Sequence, residues 1–438
     1  MAAESCDIAI IGAGAAGLAA AAALAGSGRS VLVLEARARI GGRIWTRHEA
    51  GLAAPIELGA EFIHGYAPAT VAHLRRAGAA MLESPDEHVS FHDGAVQPRS
   101  GFQQVQEAIR SNRALDRADM SLDEFLDKHL ADVLSMEARQ YARMMAEGFD
   151  AADTSVASAR ALVEEWTSET MTHAPQSRPD GGYEPLLTEL ASAAQRANVR
   201  LQLQTAVRAV KWARGSVEID AESFGQPLRV TASRAIVTLP LGVLQASADA
   251  PGAVRFSPPL DAKRAALEGL GFGPVIKLLL RFRSAFWEDI EQGRLREVTF
   301  FHSRQAPFPT FWTALPLRAP LLVAWAGGPR AARLSGKSTD ELAALAVTTL
   351  QSMFGAACDV RALFEAAYWH DWQQDPYARG AYSYVRAGGG EASRELAAPL
   401  ARTLYFAGEA TDFEGERATV TGAIRSGERA ARELMRGS

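Results

Sequence analysis

Gly12-x-Gly14-x-x-Gly17, set between the apolar run 8–11 and the small-residue stretch 15–24, restricts this 438-residue chain more than any other feature. Gly12 permits a tight turn, Gly14 lets the backbone approach a pyrophosphate, and Gly17 lets a helix lie close against a strand. The helix opening at Ala15 offers free N–H groups and positive partial charge to phosphates. Gly26 and Gly28 end that helix, and 30–35 reads as the second strand of a βαβ unit. Glu35 closes it 18 residues after Gly17, near the spacing of about 20 expected of a ribose-binding acid. A carboxylate there accepts from a 2′-hydroxyl and repels a 2′-phosphate. NADP is therefore disfavoured, and FAD and NAD remain.

Composition removes other classes. Hydrophobic residues at 48% and charged residues at 22% describe an ordinary globular protein, and a net charge of −5 speaks against a nucleic-acid partner. Cys6 and Cys358 make neither a metal spacing nor a disulfide framework. No metal cluster or Ser/His/Asp motif is found. The apolar start lacks the basic flank of a secretory signal, since Glu4 and Asp7 precede it, and no run reaches the roughly 18 apolar residues of a membrane span. The expectation is a cytoplasmic chain with no membrane anchor, a monomer or homodimer.

The length favours two domains. After the first βαβ unit comes a charged, helix-rich middle. "PDGGYEPLLTELASAAQRA" reads as a loop and helix, followed by short strands through 235–239 that return to the first sheet. "GFGPVIKLLLRF", "TFFHSRQAPFPTFWTAL" and "LLVAWAGG" suggest a second, largely antiparallel sheet, and "STDELAALAVTTLQSMFG" a helix with an N-capping hydroxyl. The expected division is discontinuous: 1–75, 195–270 and 395–438 in a nucleotide-binding domain, and 76–194 and 271–394 in a substrate domain.

Lys277 is the anomaly, one of only five lysines among 46 basic residues and placed inside an apolar run. On a strand, Ile276, Leu278, Leu280 and Phe282 share one face, and Val275, Lys277, Leu279, Arg281 and Arg283 the other. Taken alone, that alternation puts the ammonium on a half-solvated face.

"EARARIGGRIWT" (35–46) resembles the flavoproteins in which a glutamate, a basic stretch and Gly-Gly-Arg follow the first βαβ unit. "ELGAEFIHG" (57–65), "TLPLGVL" with "FSPPL", "GFGPVIKLLLRFRSAFW", "WQQDPYARGAYSY" and "YFAGEATDFEGERATVTGAIRSGERAA" narrow the resemblance to flavin-dependent amine oxidases. Within them the likeness is to polyamine oxidases and the catalytic domain of lysine-specific demethylases. The resemblance implies an α/β fold, with a GR2-type FAD-binding Rossmann domain interleaved with a mixed-sheet and helical substrate domain. It implies FAD along Gly41 and Gly42, with Arg37 and Arg43 near its adenosine and phosphates. Gly59, Ala60, Glu61, Phe62, Val207, Gly408, Glu409, Thr419 and Val420 match cofactor-contacting positions, and Trp372 packs nearby. Ala381 stands where monoamine oxidases attach flavin through cysteine, so the FAD is expected to be noncovalent.

The family's strand lysine falls on Lys277, where it reaches a water bonded to flavin N5. That implies an interior position and reverses the alternation reading. The resemblance further implies hydride transfer from an amine to the flavin, hydrolysis of the imine, and reduction of O2 to hydrogen peroxide. His64 matches a histidine of spermine and acetylpolyamine oxidases. Tyr382 matches one wall of an aromatic cage, whose other wall falls on Thr419 and is not aromatic. Glu61, Glu164, Glu165 and Glu169 are candidate acids for a cationic substrate. A monoamine or L-amino-acid oxidase is the alternative, although Glu61-Phe62-Ile63-His64 leaves no arginine for a substrate carboxylate. A demethylase-like or scaffold protein would need sustained heptads, which are missing.

Overall fold

The computed structural model describes residues 2–92, 95–97, 102–168, 175–195 and 199–437. Glu169 lies outside them. The first strand is longer than its apolar core, running Ala2–Ile11 and pairing in parallel with Gln226–Val237 along its whole length. Val31–Leu34 and then Val199–Gln202 continue the sheet on its other side, also in parallel. Beyond Gln226–Val237 the chain doubles back through the antiparallel strands Ser216–Ser223 and Thr205–Ala213. Gln226–Val237 changes neighbours part-way, because its last residues, Ala235 to Val237, pair with Leu404–Phe406. The sheet thus draws on the first 34 residues, the middle of the chain and its end.

Three helices cover one face of this sheet: Ala15–Leu24, Glu184–Gln195 and Val420–Arg436. They lie close because small residues meet at the contacts. A Cβ on Gly17 would stand 1.9 Å from the Gly12 carbonyl oxygen, and one on Gly427 would stand 2.1 Å from that of Ala16. Glu184–Gln195 corrects the expected division at 194/195. Leu186, Leu187 and Leu190 are buried against the first helix, so this helix belongs with the nucleotide-binding core that it was expected to precede.

The second sheet has the order Phe364–Tyr368, Val275–Phe282, Leu321–Gly327, Thr310–Thr313, Phe300–His302, His88–His92, Ala95–Gln97. Among the described residues of this sheet, only Phe300–His302 and His88–His92 pair in parallel. Thr339–Phe354 backs it, opened by a capping box in which Ser338 and Glu341 satisfy each other's backbone N–H. Helices between Phe102 and Trp166 form a further core around Phe125, Tyr141 and Trp166. Among the described residues, no helix is long and apolar enough to cross a membrane.

The alternation reading of Val275–Phe282 fails. Val275, Lys277 and Leu279 are all at most 4% exposed, because Ile56, Leu58, Phe62, Trp312 and Val323 cover the second face of the strand as fully as the core covers the first. Alternation marks a wet face only where one side of a sheet is left bare.

Gly427→Ala tests the helix contact without touching the glycine turn. The added methyl meets backbone, which cannot rotate away, so the variant is expected to lose about 1–3 kcal/mol, read as a lower thermal midpoint for the purified protein.

Candidate active site

A cavity of about 1240 Å³ runs from the first glycine turn, between the two sheets, to the helical core. At one end Gly14 is open, with only Gly41 O and Gly42 Cα within 4 Å of where a Cβ would stand. The first helix has no side-chain cap at Gly14, and its leading N–H groups face this space. Buried Glu35 accepts from the N–H of Ala13 at 2.8 Å and of Arg37 at 2.9 Å, which holds its carboxylate at the cavity wall. Val207 and Thr205 line the same end. The last helix brings a second N-terminus to the wall. Thr419 caps it by accepting from Gly422 N–H at 3.0 Å, and Val420 and Thr421 line the cavity. Two helix N-termini, a bare backbone turn and a ribose-type acid in one elongated space suit a dinucleotide.

Gly12, Ala15, Gly42, Gly59, Ala60, Phe62, Trp372, Gly408 and Glu409 also line it. Gly17 does not. It sits behind the turn as a packing residue. Arg37 and Arg43 line the cavity but carry partners of their own. Arg37 pairs with Asp375 at 2.7 Å, and Arg43 with Glu409 at 2.8 Å while donating to Ala381 O. Despite burial, His370 and Arg37 hold the Asp375 carboxyl far below its ordinary range.

Lys277 enters the cavity from the second sheet with its side chain 3% exposed. Its Nζ lies 2.6 Å from Glu61 Oε2 and donates to Gly59 O at 3.0 Å. The resemblance led to the expectation of a water as company for the ammonium. The structure adds a carboxylate. The other oxygen of Glu61 accepts from Arg178 Nε at 2.9 Å and Trp312 Nε1 at 3.1 Å. Burial pushes the Glu61 carboxyl up, but the charges of Lys277 and Arg178 outweigh it and hold it below the ordinary range. Glu61 is therefore not a free acid for substrate. Glu57, buried behind it, is pushed up to about 7 by burial, against the pull of Lys277.

Farther along, the walls are aromatic: Phe62, His64, Phe149, Phe300, Trp312 and Tyr382. Burial holds the His64 imidazole down to about 4, so it is neutral near pH 7. The Tyr382 hydroxyl donates to Phe149 O at 2.7 Å, which fixes the ring as a wall. Thr419 lines the cavity as a cap, and its hydroxyl donates to Glu416 O. Of the candidate acids, Glu164 and Glu165 both line the cavity, Glu164 exposed and Glu165 half-buried.

The sequence reading passed over Asp150. Its Oδ2 accepts from Trp166 Nε1 at 3.2 Å, and burial together with the Glu165 charge pushes its carboxyl well above the ordinary range. Burial raises Glu165 too, although Arg417 pulls it down. "EGFDAAD" carries no recognisable spacing, so only the fold could place Asp150 beside Glu165.

Comparison with known proteins agrees with this geometry. The chain is similar over 97% of its length to lysine-specific histone demethylase 1 homolog 3 of Arabidopsis thaliana, at 28% identity, but spans only 30% of that relative. It spans 53% of human lysine-specific histone demethylase 2, at 26% identity. Against polyamine oxidase 1 of Oryza sativa the match is 28% identical over 99% of this chain and 98% of the relative. Its fold is that of putrescine oxidase, solved with putrescine bound (TM-score 0.79, 23% identity, 99% and 100% of the two chains). It is also that of cyclohexylamine oxidase from Brevibacterium oxydans (TM-score 0.77, 24% identity, 98% and 99%). The family of flavin containing amine oxidoreductases matches residues 15–435. With that match over most of the chain, beside a dinucleotide cradle and a buried lysine, the chain belongs to that family, and its cofactor is FAD.

Proposed function

We propose that this chain is an oxidase of polyamines or diamines with noncovalently held FAD, releasing hydrogen peroxide in the cytoplasm. FAD held along Gly12, Gly14, Glu35 and Gly42 would supply a two-electron acceptor for oxidation of the amine α-carbon, with O2 as the final acceptor. The product imine, R–CH=N–R′, adds water across its C=N bond and breaks down to the aldehyde R–CHO and the amine R′–NH2, which is ammonia where the oxidised amine is primary. Ala381 leaves no thiol for a covalent tether, and Cys6 and Cys358 stand unpaired elsewhere.

The protein's part is orientation, dryness and charge. Phe62, Phe149, Phe300, Trp312 and Tyr382 exclude water and offer ring faces to an approaching amine. His64, being neutral, can accept from the amine without repelling a cation. Lys277 places positive charge where the cavity passes Gly59 and Glu61, and a fixed cation of this kind stabilises developing negative charge on oxygen. Its remaining N–H can hold the water that attacks the imine.

Substrate class is carried by one observation, the carboxyl pair of buried Asp150 and half-buried Glu165 in the same cavity as Lys277. Both carboxyls bind protons more tightly than ordinary acids. A remote ammonium can displace that proton and leave a charge-assisted contact. A monoamine has no second cation for it, which favours polyamines and diamines over the monoamine reading.

Four outcomes check this. Peroxide release should be found with spermine, spermidine, N-acetylated polyamines or putrescine. Release with phenylethylamine alone would move the chain to the monoamine class. Asp150→Asn should raise KM for a diamine about tenfold, matching a charge-assisted bond of roughly 1.5 kcal/mol, and leave phenylethylamine within about twofold. Because raised carboxyls must lose a proton to carry charge, diamine KM in the wild type should fall as pH rises above the ordinary carboxyl range. Lys277→Met should keep its flavin and reoxidise it slowly with O2, and unchanged turnover at full flavin loading would remove the lysine from the mechanism.

A further inference from the structure

Arg178 belongs to no motif in the sequence, and it stands behind the cavity wall, joined to it through Glu61. It lies on Gln176–Pro179, between Ile63–His64 and Met81–Glu83. Its side chain is 8% exposed. Nη1 donates to Ser84 Oγ at 2.6 Å and to Leu315 O, Nη2 to Thr313 O at 2.9 Å, and Nε to Glu61 Oε1 at 2.9 Å. The guanidinium carbon lies 4.2 Å from the centroid of Phe62. Four of its five N–H donors are met by backbone carbonyls or side chains, which holds the cation in place.

Glu61 stands between this guanidinium and Lys277, giving one oxygen to each. A single carboxylate therefore serves two cations, and the set carries one net positive charge inside a nearly dry wall. A simple Lys–Glu pair would carry none. Removing one buried charge leaves the others uncompensated rather than merely weakening a contact. Glu57, the other carboxyl facing Lys277, is pushed up to about 7 and accepts from Thr46 Oγ1 and Tyr183 N–H. Below that range it is largely protonated and adds no compensating charge.

We propose that Arg178 and Glu61 are positioning residues that set the electrostatics of the flavin through Lys277: Arg178 takes up half of the Glu61 carboxylate, and so leaves the Lys277 ammonium as net positive charge beside the cofactor. The inference rests on the placement of Lys277 at the flavin given under Proposed function. Its consequence is a sign pattern. Loss of either cation makes the trio neutral and disfavours the reduced, more negative flavin. Loss of the carboxylate makes the trio more positive and favours it. A residue with a purely structural role has no reason to give opposite signs.

The test is an anaerobic redox titration of the holoenzyme at about pH 6, where carboxyls of ordinary range remain ionised. Lys277→Met and Arg178→Met are each expected to lower the reduced-to-oxidised flavin ratio about tenfold at fixed ambient potential, about 30 mV for a two-electron couple. Glu61→Gln, which keeps the shape, is expected to raise it by a similar factor. If Lys277→Met leaves the ratio unchanged, the lysine is not at the flavin and the functional reading itself fails. If Lys277→Met lowers the ratio but Glu61→Gln does not raise it, the charge-setting role is overturned while the functional reading stands. An Arg178→Met protein that holds flavin with an unchanged or higher ratio also overturns it. If that variant fails to load flavin, the near-isosteric Glu61→Gln decides alone.

Discussion

A charge taken out of water must be met by another, and the burial of Lys277 imposes that condition on three separate parts of the chain. The ammonium comes from the second sheet, its carboxylate and carbonyl partners from the segment around Gly59 and Glu61, and the second cation from the strand at Arg178. None of these is stable alone in a dry wall, where an unpaired ion costs several kcal/mol. Their mutual satisfaction ties the second sheet to the segment around Gly59 and Glu61 and to the strand Gln176–Pro179, beside the cavity. Lys263 shows the alternative. It is equally buried, yet its ammonium donates to the carbonyls of Glu395 and Ala398, at the end of the short helix Ala392–Ala397, and faces the ring of Phe406. Two buried lysines thus take different company, one closing a helix end and the other lining the site.

Much of the cradle could be read directly from residues because its determinants are local. A strand, a turn and a helix within thirty residues carry their own geometry, and Ala15–Leu24 came out with the same bounds as expected. The hydroxyl cap that opens Thr339–Phe354 was legible for the same reason: caps act over three or four residues. The second sheet was visible from its apolar runs, though not its single parallel pairing.

What escaped the sequence depends on contacts between distant segments. The face of a strand is wet or dry according to what packs on it, and nothing in "PVIKLLLRF" says that Ile56 and Leu58 will do so. Motif likeness corrected that reading, where alternation could not. Glu61 looked like an acid for substrate because its partner Arg178 stands 117 positions away. Asp150 stood next to no informative neighbour, and its raised proton affinity arises from burial with Glu165. The helix Glu184–Gln195 was assigned to the wrong side for a related reason, since helical spacing shows that a face is apolar but not which core receives it.

The order in which strands and helices join the first sheet bears on biosynthesis. Its opening strand waits for Gln226–Val237, and the helix that presses Gly427 onto Ala16 ends at Arg436. Pairings of such separation form late, since the intervening loop must close first. Until Val420–Arg436 has been made, the nucleotide groove lacks one of its walls, so a fragment that stops short of this helix would carry the glycine turn without a complete pocket around it.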